Sequence, residues 1–494
     1  MKLPILLPLV LGLTFGLGAC LHAADEGAAP AAAGDGLNPS ILTVDMKKIF
    51  ESHPKTIEAQ KTLHAEVNQS KNDDERVAKA AQLREEIKTL DSKLGLGNLD
   101  PAAAEQMRKL RSEKSAALQS LDAEIQKLQA ARMKEAQEKA VRLRGEIVSD
   151  IEKAIVTAPA LNGVAFVFDK SGPTLNGVPF IIHGNPNLDR SGSVQKQIGV
   201  ENAAGEAANA DSSQGLRIAV VDMKTVFRGF YKSKEAEDKI NAARQAAKAE
   251  YDNRVAKMTS ATDELKKLDA QLAGAGLNAA DRTARTKERA AKATALSAVD
   301  RDLKDFQASR EKQLQEQALQ MRNDIVAEIN RVIADGVKAE GHVDLIFDSG
   351  GPSLNALPVL LRHEGIPDWT DAAIAALNSS KAGAASAPIG PSAGSVSTSG
   401  LRFAVLDSRR VSQALAAGAG KGTESDSPGR PVKLPPEMVE KITKAVSEKA
   451  SQVGIHVVFD MTGPSLNGVP VVMARRTVPD LSNDIITALG GAAP

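Results

Sequence analysis

The sequence predicts an α+β protein: a small β body of about nine short strands, three per repeat in pseudo-threefold arrangement, with two long antiparallel helical-hairpin arms. Three observations predict it. A pair of apolar phrases, each closed by an aspartate, occurs three times along the chain. Between the first two pairs, apolar residues recur at three- and four-residue steps, which is typical of helices. Aromatic residues make up only 3% and charged residues 25%, which favours long solvated helices over one thick core.

The strands are predicted by phrases that recur in each repeat. The opening phrase is a β-branched or apolar run that ends at Asp45, Asp222 or Asp407. The closing phrase runs through Phe-Asp into Gly-Pro and Leu-Asn, and a third apolar run follows its last proline. Because such dipeptides mark turns, we interpret the closing phrase as a structural turn between strands. A carboxylate site built from the aspartates is the alternative hypothesis. The turn residues are Asp169, Gly172, Pro173, Asn176 and Pro179, then Asp348, Gly351, Pro352, Asn355 and Pro358, then Asp460, Gly463, Pro464, Asn467 and Pro470.

The helical arms are predicted by the spacing of these aspartates. The opening and closing aspartates lie 124 residues apart in the first repeat (169 − 45), 126 in the second (348 − 222) and 53 in the third (460 − 407). The extra residues predict arms over about 51–157 and about 229–338, and no arm in the third repeat. Narrow apolar stripes flanked by charge favour two helices packed against each other. The turns at the arm tips are predicted at Gly95, Gly97, Gly274 and Gly276.

The N-terminus resembles an export signal. An apolar run from Leu3 to Leu17 is too short to span a membrane and stop. The single cysteine, Cys20, follows Leu-Gly-Ala, which resembles the lipobox of bacterial lipoproteins, where the thiol is acylated. Ordinary cleavage after Ala23 or Ala24 is the alternative. The predicted organisation is a signal peptide over 1–20, a flexible tether over 21–40, repeats over 41–190, 215–378 and 401–490, and linkers over 191–214 and 379–400.

Composition and motifs argue against several classes of function. Lys plus Arg equals Asp plus Glu at 62 each, so no charge excess points to nucleic acid. The seven histidines show no spacing suited to zinc. The glycine-rich stretch over 418–422 has Gly422 where a phosphate-binding loop needs Ser or Thr. We therefore expect no catalytic residue, no metal and no cofactor.

The phrases at both ends of each arm resemble a known family. In the first repeat they are Val44-Asp45-Met46-Lys47 and Phe168-Asp169, and in the second Ala219 to Lys224 and Phe347-Asp348. This order is similar to that of the Skp (OmpH) family of periplasmic chaperones. Members of that family are trimers whose β body carries three helical arms, which enclose unfolded outer-membrane proteins without nucleotide.

The resemblance implies a monomeric pseudo-trimer, because three repeats in one chain take the place of three subunits. It implies an ATP-independent periplasmic holdase that binds unfolded outer-membrane or envelope proteins between its arms. Acylation of Cys20 would anchor it to the outer membrane. The alternative function is a structural envelope lipoprotein, in which the coiled-coil arms act as spacers or in adhesion.

Overall fold

Each repeat forms the same parallel strand pair, in the same register. In the computed structural model, Val44 pairs with Asp169, Val221 with Asp348 and Leu406 with Asp460. The described residues are 40–62, 75–95, 100–162, 164–201, 203, 215–274, 278–341, 343–379, 389, 394–418, 434–467, 469–475 and 478–491. The chain divides into unit 1, Met1–Arg217, Gly351–Gly365 and Ser397–Pro494, and unit 2, Ile218–Gly350 and Ile366–Val396.

The elements follow the strand, hairpin, strand, strand order in the first two repeats. The first repeat has β1 Ile41–Val44, α1 Met46–Ser52, α2 described over 54–62, α3 Glu75–Gly95, α4 Pro101–Thr157, β2 Phe166–Asp169, β3 Ile181–Gly184 and α5 Ser191–Gln197. The second has β4 Arg217–Val221, α6 Met223–Gly229, α7 Tyr231–Ala273, α8 Ala279–Glu340, β5 Leu345–Asp348, β6 Leu360–His363 and α9 Thr370–Ser379.

The third repeat keeps the strands with shorter helices. After a short β7, Val396–Ser397, it has β8 Phe403–Leu406, α10 Ser408–Gly418, α11 Pro436–Val453, β9 Val457–Asp460, β10 Val472–Arg475 and α12 Ser482–Ala488. The apolar side of α11, which includes Ile442, Val446 and Ala450, is buried in the core of unit 1. The predicted α+β class, with long helices and small mixed sheets, is confirmed.

Within unit 1, the repeats exchange their third strands. Strand β10 of the third repeat pairs antiparallel with β2 of the first, giving the sheet β1-β2-β10. Strand β6 of the second repeat pairs antiparallel with β9 of the third, giving the sheet β6-β9-β8. A three-stranded piece is marginal by itself, so sharing strands lets the repeats bury each other's faces.

Five of the eleven phenylalanines pack together in the core of unit 1. Phe459 of the third repeat is fully buried and lies with its ring centroid 5.0 Å from Phe168 and 5.3 Å from Phe166 of the first repeat. Phe180 and Phe403 complete the cluster, at 6.2 Å and 6.3 Å from Phe459. Edge-to-face pairs of this kind add about 1 kcal/mol each beyond their buried area. The aromatic residues thus join two repeats into one core.

Two segments predicted as linkers contain residues that are packed in the structure. Residues 191–197 form α5, in which Val194 is fully buried, because they cover the end of the first strand pair. In the second linker, Ile389 is buried and its Cβ lies 2.8 Å from the position that a Cβ on Gly336 would occupy. The indole N–H of Trp369 donates to the Gly394 carbonyl oxygen at 2.8 Å, so residues 389 and 394 are packed within unit 2.

Candidate functional site

The closing aspartate of each repeat ties the end of its second strand to the start of the helix after its first strand. The carboxylate of Asp169 accepts from the backbone N–H of Met46 at 3.2 Å, Asp348 accepts from Met223 at 3.1 Å, and Asp460 accepts from Ser408 at 3.3 Å. All three aspartates are fully buried. They therefore have a structural role at helix N-termini, where a carboxylate is favoured.

Two of these carboxyls have strongly shifted pKa values. Burial raises the pKa of Asp169 to about 6, against the opposing effect of hydrogen bonds from Ser171. Burial likewise raises the pKa of Asp460 to about 6, opposed by Ser408. Asp169 Oδ2 has no hydrogen-bond partner among the described residues. No cluster of His, Cys, Asp or Glu in the described part of the chain could hold a metal ion.

A second aspartate motif, which the sequence analysis missed, ends each repeat. The hydroxyls of Ser191, Thr370 and Ser482 each accept from the backbone N–H of the opening aspartate of their own repeat at 2.8 Å. Each hydroxyl in turn donates to the aspartate two positions before it. Those aspartates are Asp189, Asp368 and Asp480, and each follows its closing aspartate at the same interval in sequence (189 − 169, 368 − 348 and 480 − 460). This constant spacing was the available sequence signal.

The turn phrases form tight hairpins between their two prolines. Pro173 bridges to Pro179, Pro352 to Pro358 and Pro464 to Pro470. In the first repeat the turn reverses at Gly177, whose φ is +67°. The second repeat has Ala356 at that position with the same φ of 67°, a left-handed conformation that disfavours a side chain.

The three hairpins are joined in a closed ring of backbone hydrogen bonds, which we call the turn ring. The N–H of Leu175 donates to the Pro352 carbonyl at 2.8 Å, Leu354 to Pro464 at 2.8 Å, and Leu466 to Pro173 at 2.7 Å. Each repeat donates one bond and accepts one, and all six residues belong to unit 1. The ring brings together turn residues that lie far apart in sequence.

The glycines and asparagines of the turns lie close to neighbouring repeats. A Cβ on Gly172 would lie 2.6 Å from the Ser465 hydroxyl, and one on Gly463 would lie 2.6 Å from Ser353 Cβ. Gly351 is also buried. Asn355 is buried and its amide donates to Thr462 at 3.4 Å, whereas Asn176 and Asn467 are partly exposed. Close approach between repeats therefore requires glycine at two of these positions.

In both arms, ion pairs connect the two helices of the hairpin. Near the tip of the first arm, Arg111 binds Asp91 at 2.9 Å and Lys114 binds Glu86 at 2.6 Å. The same pairs recur at the equivalent positions of the second arm, as Arg289 with Asp269 at 2.7 Å and Lys292 with Glu264 at 2.6 Å. With distance from the tip, the partner on the first helix comes earlier in sequence and the partner on the second helix comes later. This order shows that the two helices are antiparallel. Exposed ion pairs contribute little to stability, so these pairs set the register of the two helices more than they stabilise them.

Apolar and aromatic contacts lie along the same seam. Leu90 and Leu268, which directly precede the equivalent Asp91 and Asp269, are buried near the two tips. In the second arm, the guanidinium of Arg254 lies 3.9 Å from the centroid of the Phe306 ring, which is a cation–π contact. The helices end where glycine follows: Gly95 is the last residue of α3, and Gly274 follows α7. Gly97, Gly276 and Cys20 lie outside the described residues.

Several large apolar side chains are exposed on the arms. Leu110 is 43% and Met133 is 67% exposed in the first arm, and Leu319 is 58% exposed in the second. The equivalent positions in the other arm are Glu288 for Leu110, Glu311 for Met133 and Val141 for Leu319. The exposed apolar residues are therefore not repeated between the arms, whereas the ion pairs are. None of the described helices is both long enough and apolar enough to cross a membrane.

The protein therefore belongs to the class in which small β-sheets carry long helical hairpins as arms. Residues 40–198 and 217–377 each match the family model described as "Outer membrane protein (OmpH-like)". The two matches span more than half of the chain, so the chain belongs to the OmpH-like family, and the resemblance of its tandem repeats to that family is confirmed. Members of this family are periplasmic chaperones of outer-membrane proteins. No curated protein and no solved structure matches the chain.

Proposed function

We propose that the protein is an ATP-independent holdase of the periplasm that binds unfolded outer-membrane or envelope proteins by its two helical arms. The observation that carries this proposal is the construction of the arms. The two hairpins share one ion-pair register, and large apolar side chains are exposed on both, namely Leu110 and Met133 on the first arm and Leu319 on the second. Exposed apolar surface on a solvated rod suits contact with other polypeptides.

Holding on this surface rests on many weak contacts. The exposed apolar residues are scattered and flanked by charges, and few aromatic residues lie on the arms, so no concentrated hot spot exists among the described arm residues. Binding of this kind needs no nucleotide, and the OmpH-like family is not a family of enzymes. A client held along a rod is kept from meeting a second unfolded chain, which suppresses aggregation.

We also propose that one chain replaces the subunits of a trimer. The turn ring uses one hairpin from each repeat, and linkage within one chain gives the repeats a high effective concentration. The protein should therefore have the mass of one chain, 51.9 kDa before any processing, by light scattering. A mass two or three times larger would indicate that repeats are exchanged between chains.

The proposed lipid anchor at Cys20 is tested by fractionation. The variant Cys20→Ser should move from the membrane fraction to the soluble envelope extract if the thiol is acylated. Equal distribution of the variant and the unchanged protein would remove the anchor from the proposal.

The function itself is tested by removing the arms above their buried bases. Ile147 and Ile151 are buried in unit 1, and Ile325 and Ile329 are buried in unit 2, so the joints must lie outside them. Joining residue 62 to residue 142 and residue 240 to residue 320 through short Gly-Ser turns removes the three exposed apolar arm residues named above. The armless body should remain folded but fail to keep a diluted, denatured β-barrel protein from scattering light.

Variants lacking one arm serve as matched controls and should lose part of the activity. A spacer or adhesion protein, the alternative function, would not suppress scattering even at full length. An armless body that suppressed scattering as well as the full chain would contradict the arm mechanism.

A further inference from the structure

We propose that the leucines of the turn ring, Leu175, Leu354 and Leu466, form an apolar contact surface for client segments. This inference rests on the proposed holdase function and names a second part of its binding surface. The occupant is an apolar stretch of an unfolded polypeptide that is held by the arms.

The geometry of the ring directs the three leucines away from the core. The residue before each leucine is Thr174, Ser353 or Ser465, and all three are fully buried. Their hydroxyls donate to carbonyls within their own hairpins, at 3.1 to 3.2 Å. Each leucine is the first residue of the turn that follows its buried hydroxyl residue. Leu175 is 42% exposed, and the other two leucines are partly exposed.

Hydrogen bonding in the ring restricts the chemistry of its occupant. Each leucine N–H already donates to a proline carbonyl of the next hairpin, and the prolines have no N–H. A client strand therefore cannot pair with these backbone groups as it would with an open sheet edge. At these positions the ring exposes leucine side chains and no unpaired backbone N–H. Its occupant must therefore be apolar.

The ring is continuous with the first arm. Arg144 of α4 donates to the carbonyl oxygen of Asn467, the residue that follows Leu466. Residues of α4 after Arg144, such as Ile147 and Ile151, are buried in the body, whereas residues before it form the arm. A client that lies along the first arm therefore reaches the ring where the arm meets the body.

The corresponding contact in the third repeat does not involve an arm. The carbonyl of Asn355, which follows Leu354, accepts from the backbone N–H of Leu434 at 3.1 Å. Leu434 precedes α11, which begins at Pro436 and packs into the core. The ring is thus contacted by an arginine side chain at the base of the first arm and by the backbone just before α11 in the third repeat.

The test compares the triple variant Leu175→Ser, Leu354→Ser, Leu466→Ser with a control that removes exposed apolar groups elsewhere in unit 1. The control is Val156→Ser with Val453→Ser, which are 53% and 37% exposed at helix ends. Both proteins are titrated against a labelled β-barrel protein, unfolded in urea and then diluted, and binding is followed by anisotropy. We expect binding by the triple variant to be about tenfold weaker, from the apolar area it no longer covers, and by the control to be unchanged.

Two further measurements distinguish a loss of client binding from a loss of folding. Hydrogen exchange in β2 and β9 should be the same in all three proteins, because the ring bonds are made by the backbone. If the triple variant loses this protection, the test uses a photo-crosslinking residue placed at position 175 of the otherwise unchanged protein. That residue should crosslink to the client, whereas a photo-crosslinking residue at position 453 should not.

The outcomes separate the two proposals. If the unchanged protein binds the client and the triple variant binds it equally well, the ring surface is wrong and the arm mechanism stands. If the unchanged protein does not bind the client, both proposals fail. Crosslinks from position 175 to a second copy of the chain, rather than to the client, would also overturn the ring proposal.

Discussion

Acidification from pH 7 to pH 5 should stabilise the body, because two buried carboxyls bind protons more tightly when folded. The pKa of Asp169 and that of Asp460 are both raised to about 6 by burial. A folded pKa above the unfolded one gives stability that is complete below the unfolded pKa and is lost as the pH rises through the folded pKa. The window for this change lies between an unfolded pKa of about 4 and the folded value of about 6.

The magnitude follows from the size of the shift. A shift of about two pKa units corresponds to roughly 3 kcal/mol per carboxyl across the whole window, at 1.36 kcal/mol per unit. Between pH 7 and pH 5, each carboxyl should contribute about 1.4 kcal/mol, because the folded form takes up most of one proton there. The two carboxyls together should add on the order of 2 to 3 kcal/mol to the free energy of unfolding of unit 1, and His53, whose pKa is lowered by burial, opposes part of this gain as it takes up a proton.

The assay is hydrogen exchange of the β2 and β9 amides at pH 5 and pH 7, corrected for the intrinsic exchange rate. The variants Asp169→Asn and Asp460→Asn should each remove about half of the pH dependence, since the amide keeps an acceptor oxygen but does not titrate. Asp189→Asn is the control: burial raises the pKa of Asp189, but the hydrogen bonds from Lys170 and Ser191 and the Lys170 charge outweigh burial and lower that pKa, so the variant should not remove acid stabilisation. Equal protection at both pH values in the unchanged protein would refute the reasoning.

Three further predictions concern stability. Ala356→Gly should stabilise the protein by up to about 1 kcal/mol in urea denaturation, since it relieves a left-handed alanine, whereas Gly177→Ala should destabilise it by about 1 kcal/mol. Phe459→Ala should destabilise unit 1 by about 3 to 5 kcal/mol, because it empties the centre of the aromatic cluster; a loss below about 1 kcal/mol would contradict that position. Asp269→Lys should speed hydrogen exchange at the tip of the second arm at low salt, and adding Arg289→Asp should restore protection; no rescue would mean that the pair does not set the register.

The strand and helix elements could be predicted because their signals are local. The repeated apolar run before Asp45 and the run before Asp169 each specify a strand by composition, and the arm helices follow from apolar spacing. The turn residues between Gly172 and Pro179 could also be recognised, since Gly-Pro and Asn-Gly favour turns wherever they occur. Glycine also lies where the first helix of each hairpin ends, since α3 ends at Gly95 and Gly274 follows α7.

The linker boundaries and the ion pairs of the arms could not be predicted from local sequence. Residues 191–197 look like a linker because Ser and Gly are poor helix formers, but Val194 is buried there and Ser191 holds the backbone of Asp45. Tertiary contacts override the weak local propensity. The ion pairs of the arms, such as Asp269 with Arg289, join positions on two different helices, and their spacing becomes meaningful only once the tip turn is known.

The sequence by itself therefore determined the repeats, the strands, the arms and the turns. Tertiary structure decided which repeat each third strand joins, as when β10 pairs with β2, and how Leu175, Leu354 and Leu466 close the turn ring. It also decided that Asp169 and Asp460 are buried deeply enough to shift their pKa values. The physical reason is that local sequence fixes backbone preference, whereas the partner of a strand edge or a buried carboxyl depends on which distant segments can fill the same volume.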